Sequence, residues 1–229
     1  MRCLLLLVDF QEDFLSRPGL HPCAGEVVDQ AAGLLKHWRE TGNPVAHIRM
    51  TISTEGEDKL PHWRRPGREA CIVGTAGHEV PKALQELDNE TILHKTGYSA
   101  SGLINLVEEA GVESVVVAGL LLHACVRQAV IELFERGVRV VVAADAVASD
   151  DPVHAAVTRR YFEDRSLPFM ASESIINNNN LGCHASFTPH STDLLNATIE
   201  RAAAFARSWS RSPFSEKSAL VTRFARNLG

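Results

Sequence analysis

Two stretches of this chain are apolar at every position rather than at every second one: Cys3-Leu4-Leu5-Leu6-Leu7-Val8 and Val115-Val116-Val117-Ala118. A strand with one wet face alternates apolar and polar residues. A run with no polar position is buried on both faces, as an inner strand of a parallel sheet is when helices cover both sides. Helical stripes fill the spaces between such runs. Val28, Ala31, Leu35 and Trp38 mark one helix that ends near Gly42, and Leu103, Leu106, Val107 and Ala110 mark another that ends at Gly111. Further strands are predicted at Val45 to Met50, Thr91 to His94, Val138 to Ala143 and Pro168 to Ala171. Asp150-Asp151-Pro152 supplies cap and first-turn chemistry for a helix running to about Arg165. Alternation of this kind builds an α/β fold: a three-layer α/β/α sandwich around a mainly parallel, Rossmann-like sheet.

Composition removes several classes of function. The chain has 229 residues, 45% of them hydrophobic and 22% charged, which describes a soluble globular protein of one or two domains. A formal net charge of -5 gives no general electrostatic reason to bind nucleic acid or an anionic membrane. The apolar opening stops at Asp9 without a small-residue cleavage site, so it reads as a strand rather than a signal peptide. No run approaches the length of a membrane span, and a cytoplasmic location is expected. The five cysteines are scattered and contain no Cys-x-x-Cys pair, and the ten histidines show no His-x-His or His-Glu-x-x-His spacing. Neither a disulfide framework, a bound metal nor another cofactor is expected.

The strand at Val115 to Ala118 leads through Gly119 into a helical stripe of Val126, Ala129, Val130, Leu133 and Phe134, so Cys125 falls in the first helical turn. Free backbone N–H groups and the helix dipole there favour thiolate over thiol, and the backbone from Leu121 to Cys125 can hold an oxyanion. The competing reading is a small apolar residue packed under the sheet. Parallel sheets bind ligands at the carboxyl ends of their strands. Asp9 ends the first strand, Lys95 follows Thr91 to His94, and Cys125 follows the strand after that, so the three are expected to meet at one sheet edge. A carboxylate there needs a cationic partner, a thiolate needs a nearby cation, and acyl transfer needs a proton carrier. The stretch Thr51 to Leu87 holds three prolines and four glycines with little periodicity, the mark of a functional loop. A nucleotide-binding Rossmann protein is a poorer fit, because Phe10-Gln11-Glu12-Asp13 has no glycine and the wrong charge for phosphate.

Three motifs carry a resemblance to the isochorismatase-like cysteine hydrolases, a family that includes nicotinamidases and carbamoylsarcosine amidases. They are Leu7-Val8-Asp9-Phe10-Gln11-Glu12-Asp13-Phe14, His94-Lys95-Thr96-Gly97-Tyr98-Ser99-Ala100 and Gly119-Leu120-Leu121-Leu122-His123-Ala124-Cys125-Val126, and the likeness spans residues 2 to about 172. It implies a triad of Asp9, Lys95 and Cys125, a cis peptide at Leu120-Leu121, and an oxyanion hole from the N–H groups of Leu121 and Cys125. The implied activity is hydrolysis of a small amide or ureido C–N bond through a thioester. Gln11, His62, Trp63, Tyr98 and His123 are candidate pocket residues. The metal-binding Asp-x-His of nicotinamidases is replaced here by His47-Ile48-Arg49, which argues against a zinc-dependent enzyme. A catalytically silent scaffold that recruits a partner is the alternative.

The polar run Asn177 to Asn180 opens a linker or arm over 173–190, and residues 191–229 read as a helical tail. Leu195, Ile199, Ala202, Ala206 and Trp209 share one helical face, and Leu220, Val221, Phe224 and Leu228 another. Ala202-Ala203-Ala204-Phe205-Ala206-Arg207-Ser208-Trp209-Ser210 and Arg223-Phe224-Ala225-Arg226-Asn227-Leu228 resemble the opening helices of aldehyde dehydrogenases. Two roles follow for the tail: an arm that makes the protein a homo-oligomer, or the junction to a fused or associated aldehyde dehydrogenase domain. Apart from a small-molecule amide substrate, no other partner is expected.

Overall fold

The computed structural model describes residues 2–55, 58–64 and 70–177. The tail at 191–229 and most of the predicted linker lie outside these residues.

Six parallel strands form one sheet in the order β3-β2-β1-β4-β5-β6. They are β1 (Cys3–Val8), β2 (Val45–Met50), β3 (Thr91–Lys95), β4 (Ser114–Leu120), β5 (Arg139–Ala148) and β6 (Phe169–Met170). Every residue of β1 and β4 is buried, and the two lie side by side in register from Cys3 opposite Ser114 to Val8 opposite Gly119. Unbroken apolar runs thus become the two central strands. Strand β5 extends to Ala148, five residues beyond the apolar run that signals it. A register shift opposite Val117 and Gly119 absorbs the extra length, an irregularity that apolar patterning does not encode.

The helices are α1 (Glu12–Leu15), α2 (Ala24–Thr41), α3 (Leu103–Ala110), α4 (Arg127–Glu135), α5 (Pro152–Glu163) and α6 (Ser172–Asn177). Helix α2 buries Val27, Ala31, Leu34, Leu35 and Trp38, and Trp38 Nε1 donates to Cys3 O over 2.9 Å, tying it to the start of β1. Gly42 stops α2 in a left-handed C-cap, where a side chain would be strained. Asp151 caps α5 by accepting from the His154 N–H. Right-handed crossovers place α2 on one face of the sheet and α3, α4 and α5 on the other. This is the three-layer α/β/α sandwich that the alternating pattern predicts.

Chain direction across the sheet reverses between β1 and β4. From β1 the chain steps outward to β2 and β3, then crosses back to β4 and continues to β5 and β6. Such a switch point opens a crevice at the carboxyl ends of the two central strands. Close approach here depends on Gly119, whose φ is +143° and whose added Cβ would stand 2.2 Å from Val8 O.

Candidate active site

Three strand ends meet at the crevice. Asp9 follows β1 with its amide still bonded to Ile48 O of β2 at 2.9 Å. Its φ of +52° breaks the strand, a left-handed conformation uncommon outside glycine, asparagine and aspartate. Lys95 closes β3. Cys125 follows β4 inside a single π-helical turn, Leu122–Val126, which runs directly into α4. The Leu120–Leu121 peptide immediately before this turn is cis.

Lys95 Nζ stands at the centre, 2.7 Å from Asp9 Oδ2, 3.1 Å from Cys125 Sγ and 3.0 Å from Gly97 O. It thus donates to the sulfur and to Gly97 O and pairs by charge with the Asp9 carboxylate. All three side chains are buried: Asp9 is 0%, Lys95 5% and Cys125 4% exposed. The Asp9–Lys95 contact is an ion pair rather than an aligned hydrogen bond, and Asp9 Oδ1 has no donor among the described residues. Burial works against the charge on Lys95, but the Asp9 carboxylate and the Cys125 sulfur outweigh it and raise the lysine pKa. For Cys125 the balance runs the other way. Burial and the Asp9 charge push the thiol well up, and Lys95 recovers only part. Cys125 is thus held as a thiol beside the Asp9–Lys95 pair, and the helix start does not make it a standing thiolate.

Cys125 lies at the wall of a cavity of about 560 Å3. His62, Trp63, Tyr98 and His123, four of the five candidate pocket residues, line it together with Leu121. His62 stacks on Tyr98 at 6.1 Å and lies 5.3 Å from Trp63, while Phe14 sits 6.4 Å from Trp63, so one wall is aromatic. The long segment between β2 and β3 supplies His62 and Trp63 of this wall from the 3-10 turn Pro61–Arg64, while Phe14 comes from α1 and Tyr98 from the loop after β3.

Gln11 is the exception. Its amide nitrogen donates to Met50 O and His78 O, its carbonyl accepts from Met50 N, and the residue is fully buried. It clamps the end of β2 to the loop and is absent from the cavity wall.

Three polar residues of the wall escape sequence reasoning: Asp13, Arg17 and Asp150. Asp13 accepts from the Cys71 N–H at 2.6 Å and rests against Gly77, where no side chain fits. Arg17 Nη1 donates to Asp150 Oδ2 at 2.9 Å, with its guanidinium over the Phe14 ring. Asp13 lies inside the first motif and Asp150 beside a helix cap, where each looks like local structure; Arg17 carries no signal at all. His47, on β2, is bound to Glu90 at 2.9 Å. Among the described residues no cluster of three or more His, Cys, Asp or Glu is placed to hold a metal ion.

The fold and site define a class: a parallel α/β sandwich with a buried cysteine, lysine and aspartate converging at its switch point. The chain belongs to the isochorismatase family: the isochorismatase domain matches residues 3–173. It is 30% identical over 172 residues to the isochorismatase family protein YddQ of Bacillus subtilis, covering 73% of this chain and 85% of that protein. It is 27% identical over 160 residues to a maleamate amidohydrolase of Pseudomonas putida, covering 66% of this chain and 75% of the relative. Among solved structures, the N-carbamoylsarcosine amidase of Thermoplasma acidophilum superposes with a TM-score of 0.64 at 26% identity, over 76% of this chain and 98% of that one.

Proposed function

We propose that the protein is a cysteine hydrolase that cleaves a small amide or ureido C–N bond through a covalent thioester. The observation that carries this is the shared position of Lys95 Nζ, within 2.7 Å of a buried carboxylate and 3.1 Å of a buried sulfur at the cavity. An inert packed cysteine has no use for a buried ion pair, which costs several kcal/mol to desolvate. The relatives named for amide cleavage support the same reading.

In this mechanism the Cys125 thiol gives its proton to Asp9 as sulfur attacks the carbonyl carbon. Lys95 holds the developing sulfur charge and stays paired with Asp9. The N–H groups of Leu121 and Cys125 receive the carbonyl oxygen as it becomes negative. Collapse breaks the C–N bond, and the Asp9 proton leaves with the amine. Water then gives a proton to Asp9 and its oxygen to the thioester carbon, and the acid departs as Cys125 recovers the proton.

The test is ammonia release across a panel of primary amides and ureas, with Cys125→Ala as control. Release by the parent and not by the variant is expected. Equal release from both overturns the proposal, and no release from any amide, with a thiol inert to alkylation, favours a catalytically silent scaffold.

A further inference from the structure

We infer that the substrate of this site carries a protonated amine remote from the scissile carbonyl, seated between His123 Nε2 and Asp150 Oδ1. The inference rests on the hydrolase reading above and concerns the His123–Asp150 part of the same cavity.

The orientation of His123 follows from its neighbour. Ser149 Oγ donates its one proton to Asp151 O at 3.1 Å and accepts from the Asp151 N–H at 3.3 Å. It stands 2.6 Å from His123 Nδ1. With its hydrogen already committed, the hydroxyl is the acceptor there, so Nδ1 carries the hydrogen. The other nitrogen, Nε2, is then a lone pair in the neutral ring. Burial favours that neutral form over the pull of Asp150 and Asp151, with His154 and Arg17 acting in the same direction as burial.

Nε2 lies 3.9 Å from Asp150 Oδ1. Two acceptors face each other with no donor between them, and the spacing is too long for a direct hydrogen bond even in a charged ring. Asp150 Oδ2 is occupied by Arg17, which leaves Oδ1 without a donor among the described residues. Both residues line the cavity with Cys125. A group with several N–H donors and a positive charge satisfies both acceptors at once. The aromatic side chains Trp63 and Tyr98 line the same cavity, and aromatic rings attract cations.

A carboxylate-bearing substrate fits poorly. Arg17, the cation of the described wall, is already held by Asp150 and stacked on Phe14. Asp13 adds a second carboxylate, fixed by the Cys71 N–H. An incoming anion would meet both acids with the guanidinium engaged.

The experiment uses the full chain and a ladder of ω-amino primary amides, each matched to a neutral isostere with methyl in place of ammonium and to an anionic one with carboxylate. The expected order in kcat/KM is cation, neutral, anion, with the best-fitting cation ahead of its isostere by about tenfold or more, the worth of a charge-assisted hydrogen bond. Asp150→Asn should collapse that ratio and, by freeing Arg17, improve the anion. His123→Leu should lower the ratio, and His123→Gln, which keeps an acceptor, should restore part of it. A parent ratio near one, or a ratio indifferent to both positions, overturns the inference. If no amide is hydrolysed, the hydrolase reading fails separately, and calorimetric binding of the same ladder to Cys125→Ala decides the inference: equal affinity for cation and isostere overturns it.

Discussion

At the scale of the residue, the cluster of Asp9, Lys95 and Cys125 poses a question of protonation. Asp9 raises the pKa of Cys125 while Lys95 lowers it, so the two neighbours can be separated by removing each charge in turn. In the Asp9→Asn variant the thiol loses a negative neighbour, its pKa falls, and the thiolate fraction at a fixed pH rises. Thiolate absorbance during a pH titration should show the midpoint moving down, while amide turnover drops by about 10²- to 10⁴-fold because no group remains to carry the proton. Greater thiolate with less turnover identifies Asp9 as the proton carrier; a midpoint that moves up contradicts the electrostatic account. Lys95→Ala moves the midpoint the opposite way. It also leaves Asp9 buried without a cation, a loss of about 3 to 5 kcal/mol that should appear in denaturant unfolding. The presence of the three residues at one edge is legible from Asp9 in an apolar strand and from the strand-end rule. Their protonation is not, because it depends on burial in three dimensions.

At the scale of the element, the switch point rests on one glycine and the sheet edge on one glutamate. Gly119→Ala places a methyl group 2.2 Å from Val8 O. Backbone cannot yield as a side chain does, so strands β1 and β4 must separate, at about 3 kcal/mol or more. Thermal unfolding should show it, and an unchanged midpoint would mean that β1 and β4 take up the methyl group without separating. Glu90 holds together elements that are distant in sequence. It takes Arg39 of α2 at 2.7 Å and His47 of β2 at 2.9 Å, and accepts from the Leu87 N–H. Burial would raise its pKa, but Arg39, the Leu87 N–H and His47 overcome that and depress it to about 2. A depressed carboxylate stabilises the fold above its unfolded pKa, and that contribution is lost as pH falls toward about 2. Glu90→Gln should therefore cost about 2 kcal/mol at neutral pH and flatten the acid limb of the stability profile. Strands and the longer helices announce themselves through periodicity. Glu90, Gln11 and Gly119 act through pairings across the fold, and nothing local in the sequence marks them.

At the scale of the whole molecule, the sheet and the pocket differ in how far the sequence reveals them. The sheet is a matter of pattern: two runs without a polar residue become the two central strands, and the order of motifs becomes the order of strand ends. The cavity is assembled from α1, the loop around Trp63 and the turn before α5, whose residues meet only after folding. Hence Asp13, Arg17 and Asp150 pass unnoticed in the sequence while His62 and Trp63 stand out by residue type alone. The chain's overall charge then gains a consequence that depends on the cavity. The chain carries a formal charge of -5, and Asp13 and Asp150 stand in the cavity wall, so a cationic substrate should be drawn in and salt should weaken that pull. Raising ionic strength from about 0.01 to about 0.15 M shortens the screening length from about 30 to about 8 Å. Under saturating stopped-flow controls for chemistry, kcat/KM for an ω-amino amide should fall several-fold across that range, while its neutral isostere stays level. The two curves converging at high salt would assign the difference to charge. A parallel decline in both substrates would instead point to a salt effect on the protein, and a rise for the cationic amide would contradict an acceptor-lined site.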